Sequence, residues 1–146
     1  MPEKETVRRA REDKRQGKAP STQAGEFVRE EIHHVREGKH GARSARQAIA
    51  IGLSKARRAG VKLPPPRHAK ASTKAAARSA SRAAGRRRRP SARRSQAMRR
   101  ALRRETRSAT SHTALARQAR KAARRRPATA RKAAARRAAR TRQRRA

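Results

Sequence analysis

Arginine is the residue type that could do chemistry here, and it comes in clusters. Arg86, Arg87, Arg88 and Arg89 stand together, followed by the doublets Arg93-Arg94, Arg99-Arg100 and Arg103-Arg104. Then come Arg124, Arg125 and Arg126, the doublet Arg136-Arg137, and finally Arg142, Arg144 and Arg145. A guanidinium stays charged at any physiological pH and presents a planar fork of donors, which suits paired hydrogen bonds to phosphate oxygens. Residues 67–146 hold 30 Lys and Arg against one carboxylate, Glu105, a net of +29, whereas residues 1–66 hold 16 against 8. A segment that repels itself so strongly needs a polyanion. Duplex DNA offers about one negative charge per 1.7 Å of axis, and each cation that lands on a phosphate releases a condensed counterion. The clustered arginines are therefore the expected nucleic-acid contacts.

Other chemistries find less support. Glu30 and Glu31 are neighbours on a predicted helix and diverge by about 100°, so they do not flank one substrate as an acid–base pair. His33 and Glu37 have ligand spacing, with His34 and His40 near them in sequence, but a metal site needs three or four converging groups and none is expected. Cysteine is absent, which excludes disulfides and thiolate sites. No cofactor is expected, and no enzymatic activity. One smaller anion site is expected where a capped helix begins: Ser44 and free backbone N–H groups, with Lys39, Arg43 and Arg46 around them, could hold a single phosphate.

Four segments must position these residues. Residues 1–20 carry charges of both signs and predict at most a short solvated helix, with Gly17 and Pro20 as a stop. Residues 21–60 hold most of the large apolar side chains and predict a helical hairpin. Its first helix, about 22–37, is capped by Ser21 or Thr22 and stopped by Gly38; Ala24, Val28, Ile32 and Val35 form the apolar stripe, and Glu30, His33 and Glu37 face away. Its second, about 45–59, opens on the capping box Ser44-Ala45-Arg46-Gln47 and stops at Gly60. Ala45, Ile49, Gly52, Leu53 and Ala56 form its stripe, and the small residues permit close approach of the facing helix. Ile51 points the other way, to be covered by Val61 and Leu63 or by a second subunit. Residues 61–68, with Pro64, Pro65 and Pro66, form an extended connector.

Residues 69–146 are built mainly of Ala, Arg, Ser and Thr. Apart from Met1, ten of the thirteen large apolar residues precede Pro64, leaving Met98, Leu102 and Leu115 in the tail. Burial cannot then offset an ordering cost of roughly 1–2 kcal/mol per residue, so the tail is expected to be disordered when free or helical only once phosphate neutralises it. Helical breaks are expected near Gly85, Pro90 and Pro127. The predicted fold class is thus mainly α, a short N-terminal hairpin module followed by a disordered or conditionally helical tail. A hairpin this small needs a homodimer through 21–60, extra packing from residues 3–16, or else folds marginally.

The run Lys39-His40-Gly41-Ala42-Arg43-Ser44, continuing as Gln47-Ala48-Ile49-Ala50-Ile51-Gly52-Leu53-Ser54-Lys55-Ala56-Arg57-Arg58-Ala59-Gly60, resembles a family of small basic bacterial proteins described as DNA-binding. The similarity covers about the first 66 residues and implies DNA association without assigning a site residue. The tail resembles, in composition, the Ala- and Lys/Arg-rich tails of linker-histone-like bacterial proteins. It departs from them in favouring Arg, 26 against 4 Lys.

Together these features predict a nonspecific duplex-DNA-binding protein of the bacterial nucleoid, in the cytoplasm. An RNA-binding or ribosome-associated role is the first alternative, weakened for base reading because Phe27 is the only aromatic residue. A protein adaptor tethered to nucleic acid by its tail is the second. Membrane binding is not expected, since no aromatic side chain accompanies the tail cations and no apolar run approaches a membrane span.

Overall fold

The computed structural model describes residues 2–85 and 91–143. It is all-helical: α1 (Lys4–Arg15), α2 (Pro20–Arg36), α3 (Ala45–Arg58), α4 (Ala71–Arg82), α5 (Ala92–Arg103), α6 (His112–Arg124) and α7 (Ala128–Gln143), with one 3-10 turn at Ser108–Thr110. No strand occurs among the described residues. Among the described residues no helix is long and apolar enough to cross a membrane. Two compact units divide the chain, Met1–Ser111 and His112–Ala146.

In the first unit α2 is the central element, with α3 packed along one side of it and α1 along another. Residues 3–16 thus supply the extra packing that a hairpin of this size lacks. Pro20 does not end a helix but begins one, at the first helical position of α2, where its missing N–H costs nothing. The stops after α1, α2 and α3 fall at Gly17, Gly38 and Gly60, whose φ values of 68°, 77° and 93° belong to the left-handed region that glycine enters without a Cβ penalty.

Two apolar clusters form the core. Ala10, Ala24, Phe27, Ala56 and Val61 make the first, with Val7, Leu53 and Leu63 packed against it; Val35, Ala42, Ala48 and Ala109 make the second. The fold-back of Val61 and Leu63 therefore joins α1 and α2 around Phe27. Most of these residues are alanines, so the helices must come close to touch at all. At Gly52 they do: a Cβ there would stand 2.7 Å from Val28 Cα and 3.0 Å from the Phe27 carbonyl oxygen.

Because α2 is covered on two sides, its buried face is wider than the apolar stripe and turned away from it. Gln23, Glu26, Glu30, Glu31 and His34 are buried with Ala24, Phe27 and Val35, while Val28 and Ile32 are half-buried. Glu30, expected to face solvent, is instead inside. At α3, Ser44 caps as predicted, its Oγ accepting from Gln47 N–H at 3.2 Å. The reciprocal bond is displaced by one residue, from Arg43 N–H to Gln47 Oε1 at 2.7 Å.

The polypeptide beyond the prolines remains part of this unit. Arg57, buried, donates to the carbonyls of Leu63 (3.4 Å) and Pro64 (3.2 Å) and so fixes the start of the connector; burial lowers its pKa. Helix α4 packs on α3 and buries Ala77 and Ala80. Residues 102–110 dock on the loop between α2 and α3. Gly41 N–H donates to Leu102 O (2.8 Å), Ala42 N–H to Thr106 O (3.0 Å), and Arg36 Nε to Thr110 O (3.0 Å). Gly41 is required by this contact, since a Cβ would run into the backbone carbonyl of Glu105.

The described tail residues are helical, contrary to the expectation of disorder in the free chain. Alanine has the highest intrinsic helix propensity and arginine stands close behind it, which favours helix without a core. Two breaks come where expected, and a further one, not expected, falls between α5 and α6 around the turn Ser108–Thr110. Gly85, with φ 72°, follows α4, and Pro127 immediately precedes α7. Pro90 lies outside the described residues. In the second unit α6 and α7 bury no residue at all.

Candidate nucleic-acid interface

Each expected contact that the structure describes lies on a helix or at its end, and each is exposed: Arg93, Arg94, Arg99, Arg100, Arg103 and Arg104 on or beside α5, Arg124, Arg125 and Arg126 at the end of α6, and Arg136, Arg137 and Arg142 on α7. Arg86, Arg87, Arg88, Arg89, Arg144 and Arg145 lie outside the described residues. On α5 the spacing of four stacks Arg99 above Arg103 and Arg100 above Arg104. The apolar seam beside them is slight, since Met98 is 59% exposed and Leu102 is half-buried.

Among the described residues no Lys or Arg beyond position 66 forms an ion pair. Glu105, the one carboxylate there, faces Arg43 of the first unit's α2–α3 loop at 3.7 Å. These guanidinium groups therefore stand on or beside helices without a carboxylate partner.

The smaller anion site at the start of α3 is differently placed. Lys39 Nζ is engaged by Glu37 (3.1 Å) and Glu3 (3.3 Å), whose contacts raise its pKa; Arg43 faces Glu105; and the Ser44 hydroxyl caps Gln47. Only Arg46 is exposed and without a carboxylate partner. The four residues lie close in sequence, but their charges are spent within the fold.

The carboxylates of α2 converge where the sequence separated them. Lys55 Nζ of α3 stands 3.2 Å from Glu30 Oε1 and 2.7 Å from Glu31 Oε2, bridging both side chains. Burial pushes Glu30 up. The nearby Thr6 hydroxyl, the Glu3 backbone N–H (3.1 Å) and the Lys55 charge outweigh it, so the net shift is downward. Glu31 is fully buried, and neither of its oxygens accepts a hydrogen bond. His34 and His40 stand beside it, one ligand atom from each of the three lying within 4.8 Å of the others. His33 and Glu37, which have ligand spacing in the sequence, form only a surface pair at 2.9 Å. The readable signal for the buried trio was Glu31-x-x-His34, two polar residues one helical turn apart on the face that α1 and α3 cover.

Residues 4–67 match a family of unknown function (DUF6496), a span that takes in α1, α2, α3 and the proline connector. No curated protein and no solved structure matches the chain.

Proposed function

We propose that this is a nonenzymatic protein that binds duplex DNA through residues 67–146 and coats or compacts it without reading sequence, as nucleoid-associated proteins do. One observation carries the reading: every described arginine of the set is exposed on or beside a helix and has no carboxylate partner. Unpaired surface cations release counterions when they meet phosphate, and contacts of this kind position a protein without discriminating bases. Alanine-rich helices studded with arginine pay a repulsion between like charges one turn apart, which phosphate removes, so DNA and helicity in the tail support each other. The module of α1–α3 carries little of the net charge and serves as the folded body on which α4 and residues 102–110 pack.

Salt dependence tests this with the whole chain. With about ten cations on phosphate at once, log affinity for a duplex falls with log salt at a slope near −9. Replacing Arg93, Arg94, Arg99, Arg100, Arg103 and Arg104 by Gln removes up to six contacts and flattens the slope by roughly 5. An unchanged slope rejects the tail as the binding arm. Tighter binding to structured RNA than to DNA at equal salt moves the partner to RNA.

A further inference from the structure

Glu31 presents a chemical problem that its neighbours do not solve. It is fully buried, and its Oε1 accepts no hydrogen bond. Lys55 stands 2.7 Å from Oε2, but the same ammonium also serves Glu30, which is buried too. Two buried carboxylates thus share one cation. Removing a charge from water is costly unless it is paired and hydrogen-bonded, so one negative charge is left over on the Oε1 side.

What faces Oε1 is an imidazole nitrogen. His40 Nε2 lies 3.3 Å from it, and the other nitrogen of that ring, Nδ1, lies 3.0 Å from the Gly41 carbonyl oxygen. A carbonyl can only accept, so Nδ1 carries the hydrogen and, in the neutral ring, Nε2 is a bare lone pair aimed at a carboxylate oxygen. Two lone pairs at that distance need either a proton or a metal ion between them, and a metal ion also engages the second histidine beside Glu31. His34 is prepared in the same way: its Nε2 lies 2.8 Å from Glu3 Oε1, an acceptor that fixes the hydrogen there, and its Nδ1, 4.0 Å from Glu30 Oε1, keeps its lone pair. Histidines held by an oxygen acceptor on the far nitrogen, with the near one left open, are the usual surroundings of a metal ion.

We propose that Glu31 Oε1, His34 Nδ1 and His40 Nε2 bind a divalent ion of the zinc class, with water completing the coordination. Two imidazoles and one carboxylate suit zinc among biologically common ions, and calcium and magnesium, which prefer oxygen, poorly. Tetrahedral zinc with bonds of about 2.0–2.2 Å places adjacent ligand atoms about 3.4 Å apart. His40 and Glu31 already stand at that separation, and the full trio closes from within 4.8 Å by movements of about 1 Å. The His40 side chain is 19% exposed, which leaves an entry path and room for the water. The ion neutralises the surplus charge and ties the α2–α3 loop to α2, a staple of the kind that a small alanine-rich core needs.

The test uses the full chain, stripped of nucleic acid and treated with chelator, titrated with zinc or cobalt alone. One equivalent per chain is expected. Cobalt should give the intense visible spectrum of a tetrahedral site, and the imidazole NMR signals of His34 and His40 should move while those of His33, His68 and His112 stay. His40→Gln should abolish binding, with unchanged circular dichroism in chelator showing that the fold persists. Glu3→Gln, which loosens the orienting contact to His34 together with the exposed Lys39 pair, should weaken affinity about 10- to 100-fold, and Lys39→Ala, which removes the pair alone, should not. No saturable binding by the wild-type chain overturns the proposal. So does binding that His33→Ala removes and His40→Gln does not, which would place the ion on the surface pair. These readouts contain no DNA, so they fail or succeed independently of the function proposed above.

Discussion

The stretch holding α1–α3 and the stretch holding α6 and α7 are both helical, for different reasons. In the first, each helix has partners: Phe27 and Val35 are almost wholly buried, Gly52 meets the backbone of α2, and Glu30, Glu31 and Lys55 form an internal charge cluster. In the second, nothing is buried. There the helix rests on the propensity of Ala and Arg, opposed by repulsion among arginines. Secondary structure alone therefore does not distinguish a packed domain from a helical arm, and perturbations that act on packing should separate them.

The largest separation should come from Lys55→Ala. It strands Glu30 and Glu31, whose side chains are 2% and 0% exposed, without their shared cation. Removing one partner of a buried ion pair costs about 3–5 kcal/mol, a large part of the stability of a small domain. Hydrogen exchange should show protection lost across α2 and α3 with α6 and α7 unaltered. Acid should act on the same contrast. Glu30 has its pKa lowered in the fold, so its contribution is present above the ordinary Glu value of about 4.3 and is lost as pH falls through the depressed one. The first unit should unfold in that window. Residues 112–143 contain no carboxylate and should show no such transition. A single acid transition shared by both stretches would erase the distinction.

Gly52→Ala probes the packing more gently. In an exposed helix interior this change stabilises by about 1 kcal/mol. At Gly52 the new Cβ would meet Val28 Cα and the Phe27 carbonyl, backbone atoms that cannot swing aside, so overpacking of about 1–3 kcal/mol should prevail. Thermal melting followed at 222 nm reads the sign directly: a lowered midpoint confirms the close approach, and a raised one denies it.

How much of this was legible in the sequence follows from the same contrast. Local signals translated well: Gly17, Gly38 and Gly60 end helices, Ser44 caps one, and Gly52 marks a close approach. Each of these depends on a few neighbouring residues. One local signal misled: α2 starts at Pro20 after Ala19, so neither Ser21 nor Thr22 caps it. The rest of what escaped depends on remote residues. The apolar stripe of α2 counts large side chains and assumes one covered face, but α1 adds a second, which turns Glu30, Glu31 and His34 inward. Alanine carries almost no pattern. Ala48 and Ala109 belong to one cluster although 61 positions separate them, and no periodicity links them. Docking of residues 102–110 on Gly41 runs through backbone hydrogen bonds, which leave no trace in side-chain composition. The tail is short of apolar residues, yet the intrinsic preference of Ala and Arg for helix, which periodicity does not display, makes its described residues largely helical.

The smallest effect sharpens the comparison most. Ala134→Gly, at an exposed position within α7, removes helix propensity worth about 1 kcal/mol and nothing else, because no neighbour packs there. Ala48→Gly makes the same chemical change at a fully buried site, where it also loses contact with Val35 and its cluster, and should cost more. The two should also differ in response to salt. At 1 M the screening length shrinks to about 3 Å, so repulsion between arginines one turn apart weakens. Amide exchange in α7 should slow and largely offset Ala134→Gly, whereas Ala48→Gly should gain little. Equal costs at the two positions, with equal indifference to salt, would mean that α7 is held by tertiary contacts after all, and an arm whose helicity depends on charge would have to be given up.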